Sequence, residues 1–408
     1  MEQYLVGLDV GTSSIVAVVA EALEDGGLDI IGIGRAESCG IRRGAVVNLD
    51  AAVESIKRAI EEAELTAGVE IDSVHLGLSG THAKAVNSRG VVAVTGKNRE
   101  ISREDVRRAI DAAKAVALPS GREIVHVLPQ DFVVDDQEGI DAPVGMTGTR
   151  LEVNVHVVTG STASTQNVVA CVNRVGVAVV DTVLDQLAAA EAVLTDDEKE
   201  LGVALVDIGG GTTDFAIYEK GSLWHTGALP LGGEHITNDI AVGLRMPIPE
   251  AEKTKRRYGC ALAGLLDDED TIDVASVGGR PPRTIPRRIL ADVIQPRVEE
   301  IFRRLWDEIR NDGYERSLHS GIVLAGGCGM LDGILEVAGQ MFDLQIRRGH
   351  PVGVGGLSDH VSNPAFATAV GLVLHAHRKQ KAEREMDVGV GAFGRAAVRL
   401  RGLFKEFF

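Results

Sequence analysis

Residues 203–218 read VALVDIGGGTTDFAIY. The first four are a β-branched apolar run, the pattern of a buried strand, and Asp207 follows them. Gly209, Gly210 and Gly211 come next, then Thr212, Thr213 and Asp214, then a second apolar run at 215–218. Two strands joined by glycines predict a hairpin. A reversal does not need three consecutive glycines, however. Residues without Cβ let the backbone approach another molecule closely. Their N–H groups can form a concavity that holds a phosphate, and Thr212 and Thr213 add hydroxyl donors. Asp207 and Asp214 would repel a phosphate directly, so acids at this point imply an intervening Mg²⁺ held through water. Taken alone, the stretch reads more simply as a glycine-rich turn.

The design recurs. Residues 4–19, YLVGLDVGTSSIVAVV, run a strand into Asp9, turn through Gly11, Thr12, Ser13 and Ser14, and enter a second strand. About two hundred positions separate Asp9 from Asp207, too many for a solenoid repeat and fitting for a duplicated domain. A third element, residues 322–333, runs an apolar strand into Gly326, Gly327 and Gly329, followed by Met330 and a predicted helix. Two Asp-Gly-Thr/Ser hairpins plus a late strand-Gly-Gly-helix turn resemble the nucleotide site of the actin, Hsp70 and sugar-kinase superfamily. That resemblance implies ATP as ligand, with Mg²⁺ held through water by Asp9 and Asp207. In actin-like proteins the helix connecting the two halves begins with a residue that positions the attacking water. Here that place falls at Asp185–Gln186. Either side chain can orient a water, and the Asp185 carboxylate can also take its proton; both can equally well cap the helix. Gly232, Gly233 and Glu234 precede another predicted helix, whose free N–H groups suit contact with the nucleotide. Glu234 is a candidate acceptor from a ribose hydroxyl. Lys255 lies in the basic run 253–257 and is a candidate for an adenine or ribose edge, or simply part of a solvated helix face.

The 408 residues allow two to three domains, and 45% apolar content with 25% charge is ordinary for a globular chain. A net charge of −17 argues against broad nucleic-acid binding. Cys39, Cys171, Cys260 and Cys328 are far apart and form no CxxC, so reduced thiols are expected rather than disulfides or a metal site. No signal-peptide pattern follows Met1, and no run of about 18 apolar residues would span a membrane. Charge is uneven, however: residues 378–408 hold eight Lys/Arg and four Asp/Glu on an otherwise acidic chain.

Along the chain the pattern is α/β. Residues 30–36 continue the first sheet, Asn48 and Asp50 offer N-caps for a helix over 51–63, and 74–78 is a strand. Near residue 82 the character changes. Strands at 85–94, 124–134 and 151–158 surround a helix over 103–117, opened by Ser102 and Asp105 in a capping-box arrangement with Asp in place of Glu. This inserted unit reads as a partner-binding module or a decorated surface loop. Residues 277–286, VGGRPPRTIP, place arginines between prolines and predict an exposed loop. A long helix over 287–309 and a last apolar helix over 364–375 follow.

These residues together resemble the FtsA family of bacterial cell-division proteins over essentially the full length. The resemblance rests on LDVGTSSI at 8–15, KELGVALVDIGGGTTD at 199–214, RRYGCA at 256–261, VGGRPPR at 277–283 and GIVLAGGCGMLDG at 321–333. It implies an actin-like, two-lobed ATP-binding α/β fold with a small inserted α+β subdomain. The implied divisions are 1–82 with 160–196, the insertion 83–159, 197–227 with 303–377, and 228–302. It also implies self-association into filaments, recruitment of later division proteins through 83–159, and binding of the tail of the tubulin-like FtsZ through 228–302. The implied location is the cytoplasmic face of the cell membrane at the division site. Gln186 departs from the proline common in relatives, which weakens an inference of ATP hydrolysis. A pilus-type actin-like assembly protein or a small-molecule kinase of the superfamily are the alternatives. A kinase needs an acid beyond Asp185, and a chaperone needs a large domain where only about 31 residues remain.

Residues 378–391 read as a linker, and 392–408, AFGRAAVRLRGLFKEFF, as an amphipathic helix. At 100° per residue Phe393, Leu400, Leu403, Phe404, Phe407 and Phe408 fall on one stripe with Ala396 and Ala397. Arg395, Arg399, Arg401 and Lys405 fall opposite, interrupted by Val398. Such a helix is expected to lie in the interface of an anionic membrane.

Overall fold

The computed structural model describes residues 4–278 and 280–388, in which two sheets repeat one plan. In the first, Tyr4–Val10, Ser14–Ala22 and Leu28–Glu37 form an antiparallel meander. Ser73–Leu78 and then Ala178–Leu184 add in parallel on the other side of Tyr4–Val10. In the second, Val203–Ile208, Thr213–Glu219 and Ser222–Leu229 form the meander, and Ile322–Ala325 and Ile346–Arg348 add in parallel. The strand order is the same in both halves, apart from a two-residue edge strand, Gly355–Gly356, on the first. The duplication expected from the two hairpins is therefore a duplication of whole sheets.

Small residues set how closely each layer packs. Helix Leu49–Ala67 starts at Asn48, whose side chain accepts from the Ala51 N–H, and stops at Gly68 with φ 69°. It buries Ala52, Ile56, Ala59, Ile60 and Ala63 against the first sheet. A Cβ on Gly34 would fall 1.9 Å from the Ala59 carbonyl oxygen, so glycine on the strand and alanine on the helix let the backbones meet. Burial of Ile56 and Ile60 is worth about 1.5–3 kcal/mol each.

Helices Asp185–Val193 and Ala367–Val388 lie between the sheets. Ala188, Ala189, Val370, Leu372 and Val373 share a core there with Leu5 and Val16 of the first sheet and Leu205 and Ala216 of the second. The last helix corrects the sequence reading: the segment expected to begin a linker at 378 is helical through Val388. Charge composition concealed this, because the charges are paired. Arg378 contacts Glu191 at 2.7 Å, Lys379 contacts Asp181 at 2.7 Å, and Ala382 is buried. The expected amphipathic helix over 392–408 lies outside the described residues.

The insertion forms its own four-stranded sheet, ordered Lys84–Ala93, Arg150–Ser161, Arg122–Val134, Gln137–Ile140, with helix Arg103–Lys114 on one face. That helix ends three residues earlier than expected. Its capping box works with aspartate: Ser102 Oγ accepts from the Asp105 N–H and Asp105 Oδ2 accepts from the Ser102 N–H at 2.9 Å. The insertion docks on the edge of the second sheet through polar contacts. Gln130 donates to the Leu223 carbonyl at 3.0 Å, and His156 Nε2 lies 2.9 Å from Thr226 Oγ1. Burial holds His156 down to about 3, so it is neutral there.

In the second half, helices Gly233–Gly243, Ile248–Tyr258 and Arg287–Asn311 cover the sheet. Arg280, Pro281 and Pro282 are exposed, as expected, but Arg283–Pro286 is a short strand paired with Thr271–Val274. The four cysteines are free, with Cys171 and Cys260 buried.

Candidate functional site

The two hairpin tips face each other. A Cβ on Gly210 would sit 1.9 Å from Ser13 Oγ, and one on Gly211 would sit 2.7 Å from Thr12 Oγ1. Asp9 pairs with Val16 inside the first hairpin, and Asp207 pairs with Asp214 inside the second. Gly209 donates to the Thr212 carbonyl at 2.9 Å and closes the second turn. The third loop comes up beside them. Gly326 has φ 79°, and a Cβ there would strike Asp207 Oδ1 at 2.3 Å, so only glycine fits.

Between the loops lies a cavity of about 330 Å³, within the range of small-molecule sites. Asp9, Gly11, Thr12, Ser13 and Ser14 line it from the first hairpin. Asp207, Gly209, Gly210, Gly211, Thr212 and Asp214 line it from the second, and Gly326, Gly327 and Met330 from the third loop. Asp185, Gly233 and Lys255 complete the expected residues present. Thr213, Gly232 and Glu234 are not in the lining. Thr213 is fully buried and its hydroxyl donates to the Leu231 carbonyl at 2.9 Å.

The helix beginning at Gly233 departs from expectation. Its first N–H groups do not point freely into the cleft. Gly233 donates to the Gly209 carbonyl at 2.9 Å and Glu234 to the Gly210 carbonyl at 2.8 Å. The helix start therefore braces the glycine loop through the Gly209 and Gly210 carbonyls. Lys255 is buried; its Nζ contacts Glu252 at 2.7 Å and donates to the Gly233 carbonyl at 3.0 Å and Thr237 Oγ1 at 2.9 Å.

Electrostatics single out the acids. Loss of solvent, with Asp9 and Asp214 nearby, raises Asp207 to about 8. Loss of solvent also raises Asp9 to about 7, opposed by Arg35 and reinforced by Asp214. Asp214 rises to about 6 for the same first reason, opposed by the Thr212 hydroxyl that donates to it at 2.7 Å. Asp185 is held well above the usual carboxylate range by burial and by Asp9, Asp214 and Asp207. Among the described residues its Oδ1 is buried without a partner. Four carboxyls that repel one another thus line one cavity, and among the described residues no three or more acidic, His or Cys groups are placed to ligate a metal ion directly, so a cation there would be held through water.

Sequence reasoning did not find Arg35, Ser79, Glu252, Asn363 or Thr368, which also line the cavity. Thr368 Oγ1 donates to Asp207 Oδ2 at 3.4 Å. Arg35, Glu252 and Thr368 arrive from a strand and helices remote in the chain and carry no local glycine signal.

Comparison with known proteins agrees with this architecture. The family described as Cell division protein FtsA matches residues 204–371, and the SHS2 domain inserted in FTSA matches residues 80–159. The chain is 47% identical over 389 residues to the cell division protein FtsA of Pseudomonas aeruginosa, covering 95% of this chain and 93% of that one. It is 39% identical over 401 residues to that of Escherichia coli, covering 95% of each. Among solved structures, a PilM-PilN type IV pilus biogenesis complex matches with a TM-score of 0.67 at 18% identity, covering 91% of this chain and 98% of that one. MreB5 of Spiroplasma citri bound to ADP matches with a TM-score of 0.55 at 15% identity, covering 96% of this chain and 99% of that one. The fold is actin-like, and the chain belongs to the FtsA family of cell division proteins.

Proposed function

We propose that the chain binds Mg-ATP in the cleft and, in that state, assembles at the inner membrane face to tether FtsZ. The observation that carries this reading is the facing pair of glycine hairpins, each based on an aspartate, around one cavity. MreB5 of Spiroplasma citri, which shares the fold, has been solved bound to ADP and to AMPPNP. The N–H groups of Gly210 and Gly211 and the Thr12 hydroxyl would cradle phosphates. Asp9 and Asp207 would hold a Mg²⁺ through water, and the bound ion would neutralise phosphate charge. Asp185 stands where a water can be oriented, at the start of a helix between the lobes. We expect nucleotide to govern assembly, with turnover below the ~1 s⁻¹ of ordinary enzymes.

Partner surfaces follow the same logic. On 228–302, Val242, Ile248 and Ile289 are exposed on helices, and Arg283 is held against the Leu244 carbonyl. Apolar groups beside a cation suit a short peptide such as the FtsZ tail. The insertion, 83–159, is the surface for later division proteins. The segment 392–408 is the membrane anchor, and no helix among the described residues is long and apolar enough to cross a membrane. Pull-down with an FtsZ tail peptide tests the tether. Loss of capture on Val242→Glu with Ile289→Glu is expected, while undiminished capture would remove 228–302 as the site.

A further inference from the structure

Arg35 lies on Leu28–Glu37, two strands from Asp9. Asp9 pairs with Val16, and Val16 pairs with Arg35. Cross-strand partners share a face of the sheet, so Asp9 and Arg35 both project toward the cleft, and both line the cavity. Strands are spaced by ~4.8 Å, which places the two backbones roughly 10 Å apart. The Arg35 guanidinium sits over the Phe366 ring, 5.8 Å from its centroid, a cation–π contact that restrains it. Phe366 ends the turn Pro364–Phe366; Ala365 within it and Asn363 and Thr368 beside it line the cavity.

The other lining cations, Lys255, Arg256 and Arg257, all come from Ile248–Tyr258 on the second lobe. Lys255 and Arg256 share Glu252, each at 2.7 Å, and Arg257 lies 5.0 Å from the Tyr258 ring centroid. Among the described residues, Arg35 is the cation of the first lobe in the cavity wall, and no carboxylate is within ion-pair distance of it. It is nonetheless the charge that most offsets the desolvation of Asp9; burial and then Arg256 disfavour the charged form of Arg35 itself, and Asp9 favours it. The guanidinium lines the same cavity as the phosphate loops and the second-lobe cations, and among the described residues its forked donors make no hydrogen bond, an arrangement suited to bidentate binding of a phosphate.

We propose that Arg35 is a positioning residue for the terminal phosphate of a nucleoside triphosphate, through which the first lobe distinguishes a triphosphate from a diphosphate. This deepens, and rests on, the nucleotide reading above. A diphosphate would leave the guanidinium facing water, whereas a triphosphate adds the charge it is placed to meet. Lysine would keep the charge but lose the fork.

The test is calorimetric titration of the full chain and of Arg35→Gln and Arg35→Lys with Mg-ATP and Mg-ADP. Arg35→Gln is expected to weaken Mg-ATP binding by about tenfold or more, near 1.4 kcal/mol, and Mg-ADP binding by less than about twofold. Arg35→Lys falls between for Mg-ATP. Melting of the nucleotide-free variants checks that the fold is intact. Equal loss for both nucleotides, or an unchanged Mg-ATP affinity, would overturn the assignment. If the unmodified chain bound neither nucleotide, the nucleotide reading itself would fall, and the assignment with it.

Discussion

Gly371 joins the two lobes of this molecule, and Gly371→Ala is the sharpest perturbation of their packing. A Cβ there would fall 1.8 Å from the Ala188 carbonyl oxygen and 2.3 Å from its carbon. Both are backbone atoms of Asp185–Val193, which cannot rotate away. Ordinary contact begins at 3.4 Å, so the two central helices must part by about 1.6 Å. Overpacking of this kind costs about 1–3 kcal/mol. A gap of even 0.5–1 Å forfeits roughly a quarter to a half of each dispersion contact around it. Alanine returns about 1 kcal/mol of helix propensity. The net expectation is a loss of about 2 kcal/mol, or roughly 4–8 °C in Tm on the scale of domains of 150–250 residues. Nucleotide binding should weaken too, since Asp185 heads one helix and Thr368 lies in the first turn of the other. Thermal and urea denaturation read the effect. Gly264→Ala, with nothing within 4 Å of the new Cβ, serves as control and should stay within about 0.5 kcal/mol. A Gly371→Ala protein as stable as its parent would refute the close-packed junction.

Two other outcomes are expected. Asp9, Asp207 and Asp214 stand raised to about 7, 8 and 6, so the folded state binds more protons than the unfolded one above their ordinary 3.8. Their contribution is present below pH 4 and is lost as pH rises toward 8. Melting without divalent cation should therefore fall between pH 5 and 8, and Asp207→Asn should flatten the decline; a flat profile for the parent chain would contradict the raised values. Removal of 392–408 should leave folding and ATP binding intact but abolish co-sedimentation with anionic liposomes, and Leu400→Glu or Phe404→Glu should do the same. Undiminished sedimentation of the truncated chain would sink the anchor.

What the sequence revealed was whatever local chemistry writes locally. The hairpins were legible because glycine runs between β-branched strands have few other uses, and each carries an aspartate near the end of its first strand, Asp9 and Asp207. The duplicated sheet order followed from those hairpins. Arg35 and Thr368 were invisible because they reach the cavity only through strand pairing and through the central helix. The free N–H groups expected at Gly233 and Glu234 are not free, because a helix start can serve a ligand or a neighbouring loop, and here the Gly209 and Gly210 carbonyls take them. The helical extension to Val388 was hidden because Arg378 and Lys379 look like linker charge until Glu191 and Asp181 are set beside them.

The central claim is that two aspartate-based glycine loops form one Mg-nucleotide site. Calorimetric titration of Mg-ATP into the full chain and into Asp207→Ala tests it most directly, because Asp207 lines the cavity and, among the described residues, its side chain is bonded only to Thr368, at 3.4 Å. Binding by the full chain, weakened by about tenfold or more in the folded variant, near 1.4 kcal/mol, is the predicted result. No binding by the full chain, or an affinity unchanged in Asp207→Ala, would contradict the two-loop site.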